Sequence, residues 1–139
     1  MAVLCEQVLT EQDGVNSAIR IVDRLFNQAV GPGAPQEMPP AAFTLKALIV
    51  LKSDRARGRH TVSLQMEEPS GQSTEIGEMP VLLEGEDRGA NIVVDLALSL
   101  THEGLHWIDV LLDEETLLTR MPLRVIYQPH RTAAAGPPA

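Results

Sequence analysis

Cysteine and aromatic residues are scarce in this sequence. The single cysteine, Cys5, cannot form an internal disulfide, and a cysteine-based metal site needs more thiolates than it offers. Only four residues are Phe, Tyr or Trp, so little aromatic surface exists for stacking on bases. Hydrophobic residues still make up 44% of the chain. We therefore expect a core built mainly from Leu, Val, Ile and Met.

Basic residues and long apolar runs are also few. The chain has 11 basic against 19 acidic residues and a formal net charge of −8, which repels a nucleic-acid backbone. No apolar run approaches the roughly 18 residues of a membrane helix. The first residues lack the charged and apolar regions of a secretory signal. We expect a cytoplasmic protein with no nucleic-acid or membrane partner.

Catalytic motifs are missing as well. No G-x-S-x-G nucleophile motif occurs, and no glycine-rich loop precedes a helical pattern. Cys5 lies in an apolar alternating stretch, where it is expected to be buried as a small hydrophobe. The sequence therefore predicts no enzymatic activity and no cofactor.

Apolar residues instead recur at every second position in many stretches of the chain, as in β-strands. Residues 104–127 predict a β-hairpin around the acidic turn 113–115. The inward positions of its first strand are His106, Ile108, Val110 and Leu112. Those of its second strand are Leu117, Met121, Leu123, Val125 and Tyr127. Each strand has one apolar face, so the hairpin needs a partner layer.

Further strands are predicted over residues 2–10, 15–26, 43–51, 59–67, 75–83 and 91–100. A helix over residues 17–28 competes with the second of these, although its β-branched residues favour a strand. The strand over 91–100 is the clearest, since Ile92, Val94, Leu96 and Leu98 all point to one side. Residues 31–40, 53–59 and 84–90 are interpreted as loops or turns, the first because it contains four prolines.

Short strands without a long amphipathic helix are typical of an all-β sandwich or barrel. We predict one domain over residues 1–128, with about seven to nine strands in antiparallel sheets. Residues 129–139 are rich in small residues and proline, and we predict a disordered tail there.

The run over residues 83–127 resembles a known protein family. The positions concerned are Gly104, Val110, Asp113, Pro122, Leu123 and Val125. This pattern is similar to the C-terminal half of a family of uncharacterised bacterial proteins. The resemblance implies an immunoglobulin-like β-sandwich. It implies no catalytic or binding residues, since none are defined for that family.

One outward-facing apolar group suggests an interaction surface. If His106 and Val110 face the core, then Trp107 and Leu111 face outward, with Val93 beside them on a neighbouring strand. Such a patch is typical of a protein–protein interface. The alternative is that the proline-rich loop over residues 31–40 covers it.

Charged groups suggest two further sites. Clustered carboxylates at loop ends can hold calcium, and the candidates are Glu84, Glu86, Asp87 and Asp113. A basic run of Arg55, Arg57 and Arg59 can bind an anion. The alternative for both groups is that they are solvated turn residues. A zinc site using His60 and His106 is a weaker hypothesis, because the spacing matches no ligand motif.

These observations lead to two functional hypotheses. The first is a non-enzymatic interaction or assembly module that uses an exposed sheet face or edge strand, with a protein partner or a second copy of itself as a homo-oligomer. The second is a calcium- or ligand-dependent binding module that acts through the acidic loops at one end of the sandwich.

Overall fold

The computed structural model describes residues 1–130 of the chain, and its regular structure in that range is β-strand throughout. The strands are β1 (Ala2–Thr10), β2 (Asn16–Ile21), β3 (Arg24–Val30), β4 (Ala41–Glu67), β5 (Ser73–Leu100), β6 (Gly104–Leu112) and β7 (Thr116–His130). The all-β prediction is confirmed, and seven strands lie within the predicted number. Within residues 1–130, no helix is long and apolar enough to span a membrane.

Hydrogen bonds join the seven strands into one sheet, with the order β2-β1-β4-β6-β7-β3 and with β5 paired to β4. The first part of β4 lies between β1 and the end of β5. The second part of β4 lies between β6 and the start of β5. We call these the β1 half and the β7 half of the sheet, and they share the long strands β4 and β5.

The predicted turn over residues 53–59 and the predicted loop over residues 84–90 are wrong, because both lie within the long strands. The β4–β5 register shifts between Lys52 and Asp54 and again between Asp54 and Arg57. Asp54 and Glu86, which face each other there, both have positive φ. Polar, glycine-containing segments thus serve here as bulges, which bend a strand without ending its ladder.

The single strand predicted over residues 15–26 is two strands with different partners. The backbone N–H of Val22 donates to the carbonyl of Leu4 at 2.8 Å, and the carbonyl of Asp23 accepts from Arg124 at 2.9 Å. The chain therefore passes from β1 to β7 within two residues. β3 then pairs with β7 in parallel, so the prediction of purely antiparallel sheets is wrong for this pair. The competing helix does not form.

The proline-rich segment over residues 31–40 is a loop without strand structure, as predicted. It is held by the hydroxyl of Tyr127, which donates to the carbonyl of Pro35 at 2.6 Å. β7 extends through His130, so the first two residues of the predicted tail are strand. The rest of that tail lies outside the described residues.

One hydrophobic cluster contains inward side chains from both halves of the sheet. A Cβ atom on Gly77 in the first part of β5 would lie 3.1 Å from Val94 in the second part, so these two parts face each other. Most predicted inward positions are buried. Leu117 is the exception at 51% exposed, because the β6–β7 register shifts after Val110.

Candidate functional site

The predicted interaction surface is divided between two parts of the molecule. Trp107 and Leu111 are half-buried on the outer face of β6. Val93 lies in the β1 half, opposite Leu48 of β4. The strand neighbours of Trp107 are instead Glu67 and Pro122. The structure therefore does not bring Val93 to Trp107, since the β5 residues that were expected beside β6 pair with β4.

The Trp107 ring is covered by a charged side chain. The Arg120 guanidinium carbon lies 4.7 Å from the ring centroid, within range of a cation–π interaction. Arg120 also donates to Asp109 at 2.7 Å and to Glu67 at 2.5 Å. These hydrogen bonds raise the pKa of Arg120, with the larger effect from Asp109. Charged side chains therefore surround Trp107. The proline-rich loop, the predicted alternative cover, contacts Tyr127.

A more apolar surface, which was not predicted from the sequence, lies on the outer side of the β1 half. Val3, Leu48 and Val93 form one row across β1, β4 and β5. Directly opposed residues share a face of the sheet. Ile21 lies opposite Cys5 and Ile19 opposite Gln7, and these two residues of β1 are on the same face as Val3. We call the following six side chains the apolar face: Val3, Leu9, Ile19, Ile21, Leu48 and Val93.

The apolar face projects beyond the rest of the sheet along the β1–β2 hairpin. β1 pairs with β4 only as far as Cys5, and from there on it pairs with β2 alone. Ile21 is 66% exposed, Leu9 44% and Ile19 36%. The apolar residues Val3, Cys5 and Leu9 at odd positions of β1 are visible in the sequence. Their neighbours on β2, β4 and β5 follow only from the pairing.

Three further residues, Cys5, Lys46 and Asp95, form the next row on this face. Cys5 is fully buried, as predicted, and this burial raises the pKa of its thiol, which keeps it protonated and a poor nucleophile. Lys46 and Asp95 form an ion pair of 2.7 Å on the same face. The apolar face therefore carries one positive and one negative group side by side near its centre.

The predicted anion-binding arginines and most of the predicted calcium ligands lie together at the bulges of β4 and β5: Arg55, Arg57, Arg59, Glu84, Glu86 and Asp87. Arg57 donates to the carbonyl of Glu84 at 3.2 Å and lies 4.0 Å from the carboxylate of Glu86. Arg88 lies 3.1 Å from the Glu84 carboxylate. Charges that the sequence analysis assigned to two sites thus partly neutralise one another.

Asp113, the remaining predicted calcium ligand, has another role. One carboxylate oxygen lies 2.7 Å from His60 Nδ1, and the other accepts from the Thr61 N–H at 2.9 Å. Hydrogen bonding to Asp113 raises the pKa of His60, and hydrogen bonding to His60 lowers the pKa of Asp113. Asp113 and Glu114 both have positive φ, as a type I′ hairpin turn requires. Asp113 therefore fastens the β6–β7 turn to β4.

The acidic side chains that do approach one another are Glu75 and Glu78 of β5 and Glu114 of the β6–β7 turn. One carboxylate oxygen from each lies within 4.8 Å of the other two, which makes them the one group of possible metal ligands in residues 1–130. Partial desolvation, followed by hydrogen bonding and charge repulsion with Glu78, raises the pKa of Glu75. We call this group the carboxylate cluster. No sequence pattern indicates this group, because Glu75 and Glu78 lie in a predicted strand and not in a predicted loop.

The hypothetical zinc site is not assembled. His106 is buried, with Nδ1 3.1 Å from the carbonyl of Gly104. Both ring nitrogens of His60 lie within hydrogen-bond distance of other groups, Asp113 and the carbonyl of Arg57. The two histidines thus fill structural positions in different places.

Comparison with known proteins supports the resemblance noted in the hairpin. No curated protein matches this chain. A model of a family of unknown function (DUF6941) matches residues 1–126, which include every strand except the last residues of β7. The chain therefore belongs to this family of unknown function.

Proposed function

We propose that this protein is a non-enzymatic assembly module that associates with a second copy of itself through the apolar face. The observation that carries this proposal is the exposure of Ile21, Ile19 and Leu9 on one projecting hairpin. The half-buried Val3 and the buried Leu48 lie beside them on the same face. Burying one large apolar side chain contributes about 1.5–3 kcal/mol. Several exposed apolar side chains on one face therefore favour a protein–protein interface.

The charges on this face support a second copy as the partner. In a two-fold symmetric dimer every contact occurs twice: if one residue of the first copy contacts a second residue of the other copy, the reverse contact is also made. Lys46 and Asp95 are adjacent, so an axis passing between them would set Lys46 of each copy against Asp95 of the other. The face is in this sense complementary to itself.

Packing through the face is favoured over hydrogen bonding along a free strand edge. β2 lies at one edge of the sheet, but Arg20 within it has positive φ, which interrupts a regular extended edge. The free side of β5 carries Pro80 and two bulged regions. Such irregularities protect strand edges from pairing with other chains.

The contacts of His60 support a non-enzymatic role. A histidine beside a carboxylate is the usual arrangement of a general base, and His60 lies beside Asp113. Its second nitrogen, however, lies 3.1 Å from the carbonyl of Arg57. A carbonyl only accepts, so both nitrogens are engaged and neither is free to accept a proton from a substrate.

The proposal includes the finer description of the fold as an immunoglobulin-like sandwich. The core shared by the two halves and the contact of Gly77 with Val94 support two facing layers. Antiparallel pairing within each half and the parallel β3–β7 pair at one edge are compatible with that description. A bacterial origin and a cytoplasmic location remain predictions.

The test is the molar mass of the full chain, measured by size-exclusion chromatography with light scattering over a range of concentrations. We expect a dimer for the wild type and a monomer for the double variant Ile19→Lys with Ile21→Lys. The control is Phe26→Lys with Val30→Lys on β3, where the native side chains are 50% and 67% exposed. This control should remain a dimer.

A wild type that stays monomeric at every concentration would refute self-association. A dimer that survives lysine at both Ile19 and Ile21 would show that another surface is used. Circular dichroism and melting of each variant establish that the exposed substitutions leave the fold intact.

A further inference from the structure

We infer that the carboxylate cluster, together with the hydroxyl of Ser63, is a binding site for a calcium ion on the outer face of the β7 half. This site is separate from the apolar face and does not depend on the proposed dimer. It also differs from the calcium ligands that the sequence predicted.

The spacing of the carboxylates fits one ion. Calcium binds oxygen ligands at about 2.3–2.6 Å, so two ligands on opposite sides of an ion lie about 5 Å apart. Glu75, Glu78 and Glu114 each offer an oxygen within 4.8 Å of the others. One ion can therefore contact all three groups without movement of the strands.

Ser63 provides an independent indication of a missing ligand. Its side chain is fully buried, and its hydroxyl has no hydrogen-bond partner among the described residues. Val62 and Leu64 on either side belong to the core, so Ser63 points to the outer face. It lies directly opposite Glu78, and opposed side chains are neighbours about 5 Å apart. Buried polar groups nearly always have a hydrogen-bond or ion partner. An ion held beneath the carboxylates would be the partner of the Ser63 hydroxyl.

The charge of the cluster has no counterpart in the described chain. None of Glu75, Glu78 and Glu114 forms an ion pair with a Lys, Arg or His in residues 1–130. By contrast, Glu84 and Asp113 are paired with Arg88 and His60. Three carboxylates without a basic partner that converge on one point repel one another, and a cation between them would relieve this repulsion.

The chemistry of the ligands selects calcium over zinc or magnesium. Every donor is an oxygen, whereas zinc sites in proteins usually combine any carboxylate ligands with histidine or cysteine. The carboxylates are exposed and come from a strand and a turn. Calcium accepts such irregular geometry, whereas magnesium demands a near-ideal octahedron. A bound ion would tie the β6–β7 turn to β5 across β4.

The experiment is a calorimetric titration of the full chain with calcium chloride, repeated with magnesium chloride and accompanied by melting with and without millimolar calcium. We expect calcium binding and a higher melting temperature for the wild type, because a ligand of the folded state stabilises it. Glu78→Gln should weaken binding at least tenfold. Glu84→Gln, in the set predicted from the sequence, should bind like the wild type.

Ser63→Ala distinguishes the hydroxyl from the carboxylates. Without calcium this variant should melt at or above the wild-type temperature, because it removes an unsatisfied buried group. Its calcium affinity should nevertheless fall. Absence of calcium binding to the wild type, binding that survives Glu78→Gln, or an unchanged affinity in Ser63→Ala would each overturn the inference. None of these results depends on whether the chain dimerises.

Discussion

Gly89 provides a sharp test of the continuous β4–β5 ladder. It pairs with Lys52 next to a register shift. A Cβ atom on Gly89 would lie 1.8 Å from the carbonyl oxygen of Leu51 and 2.9 Å from its carbon. These are backbone atoms, so no rotation of a side chain relieves the contact. The variant Gly89→Ala must therefore push β5 away from β4 at this point.

The expected loss follows from two contributions. Overpacking that forces a backbone shift costs about 1–3 kcal/mol. Separating the strands also breaks one or two ladder hydrogen bonds, at about 0.5–1.5 kcal/mol each. We expect a total of about 2–4 kcal/mol, which for a domain of this size lowers the melting temperature by roughly 8–15 °C.

The assay is thermal and urea unfolding followed by circular dichroism. The matched control is Gly33→Ala in the proline-rich loop, where a Cβ atom would meet nothing within 4 Å and the φ angle is not positive. This control should leave stability unchanged or raise it by about 0.4–1 kcal/mol. If Gly89→Ala melted within about 2 °C of the wild type, β4 and β5 would not be paired at this bulge as described.

Two further predictions concern the core and the β6–β7 turn. Leu98 is 1% exposed in the shared core, and Leu98→Ala should lower the free energy of unfolding, measured in urea, by about 2–5 kcal/mol. Leu82 is 57% exposed on the same strand, and the control Leu82→Ala should change that free energy by less than about 0.5 kcal/mol. Equal losses in the two variants would contradict the core assignment. The His60–Asp113 pair should stabilise the fold most between about pH 3.8 and pH 6.5. The pKa of His60 is raised, so its contribution is complete below 6.5 and is lost as the pH rises through the folded pKa. The pKa of Asp113 is lowered, so its contribution is complete above 3.8 and is lost as the pH falls through the folded pKa. His60→Gln should therefore lower the melting temperature more at about pH 5.5 than at about pH 8.5, and a pH-independent difference would refute this role.

The sequence was a good guide wherever the evidence is local. The alternation of Ile92, Val94, Leu96 and Leu98 predicted an inward face, and all four are buried. The hairpin around Asp113 was predicted from its acidic turn, and the structure confirms it. Four prolines over residues 31–40 excluded regular structure there, as observed. In each case, the residues that decide the outcome lie within about ten positions of one another.

The candidate sites depended on contacts that are distant in sequence. Val93 was placed beside Trp107 because their predicted strands are consecutive, but it lies opposite Leu48. Arg57 and Glu84 appeared to be separate sites of opposite charge, but they meet across the β4–β5 bulge. The same polar and glycine residues can end a strand or bulge it, and only the partner strand decides which occurs.

The sequence by itself therefore determined that the chain is all-β and which side chains must be hidden from water, because a two-residue period assigns each side chain to one face. Only the tertiary structure decided which strands are neighbours, that β3 runs parallel to β7, and that Ser63 lies opposite Glu78. Strand pairing joins segments through backbone hydrogen bonds that every residue type except proline can make. The choice of partner is therefore not encoded locally, and it is settled by the packing of the whole core.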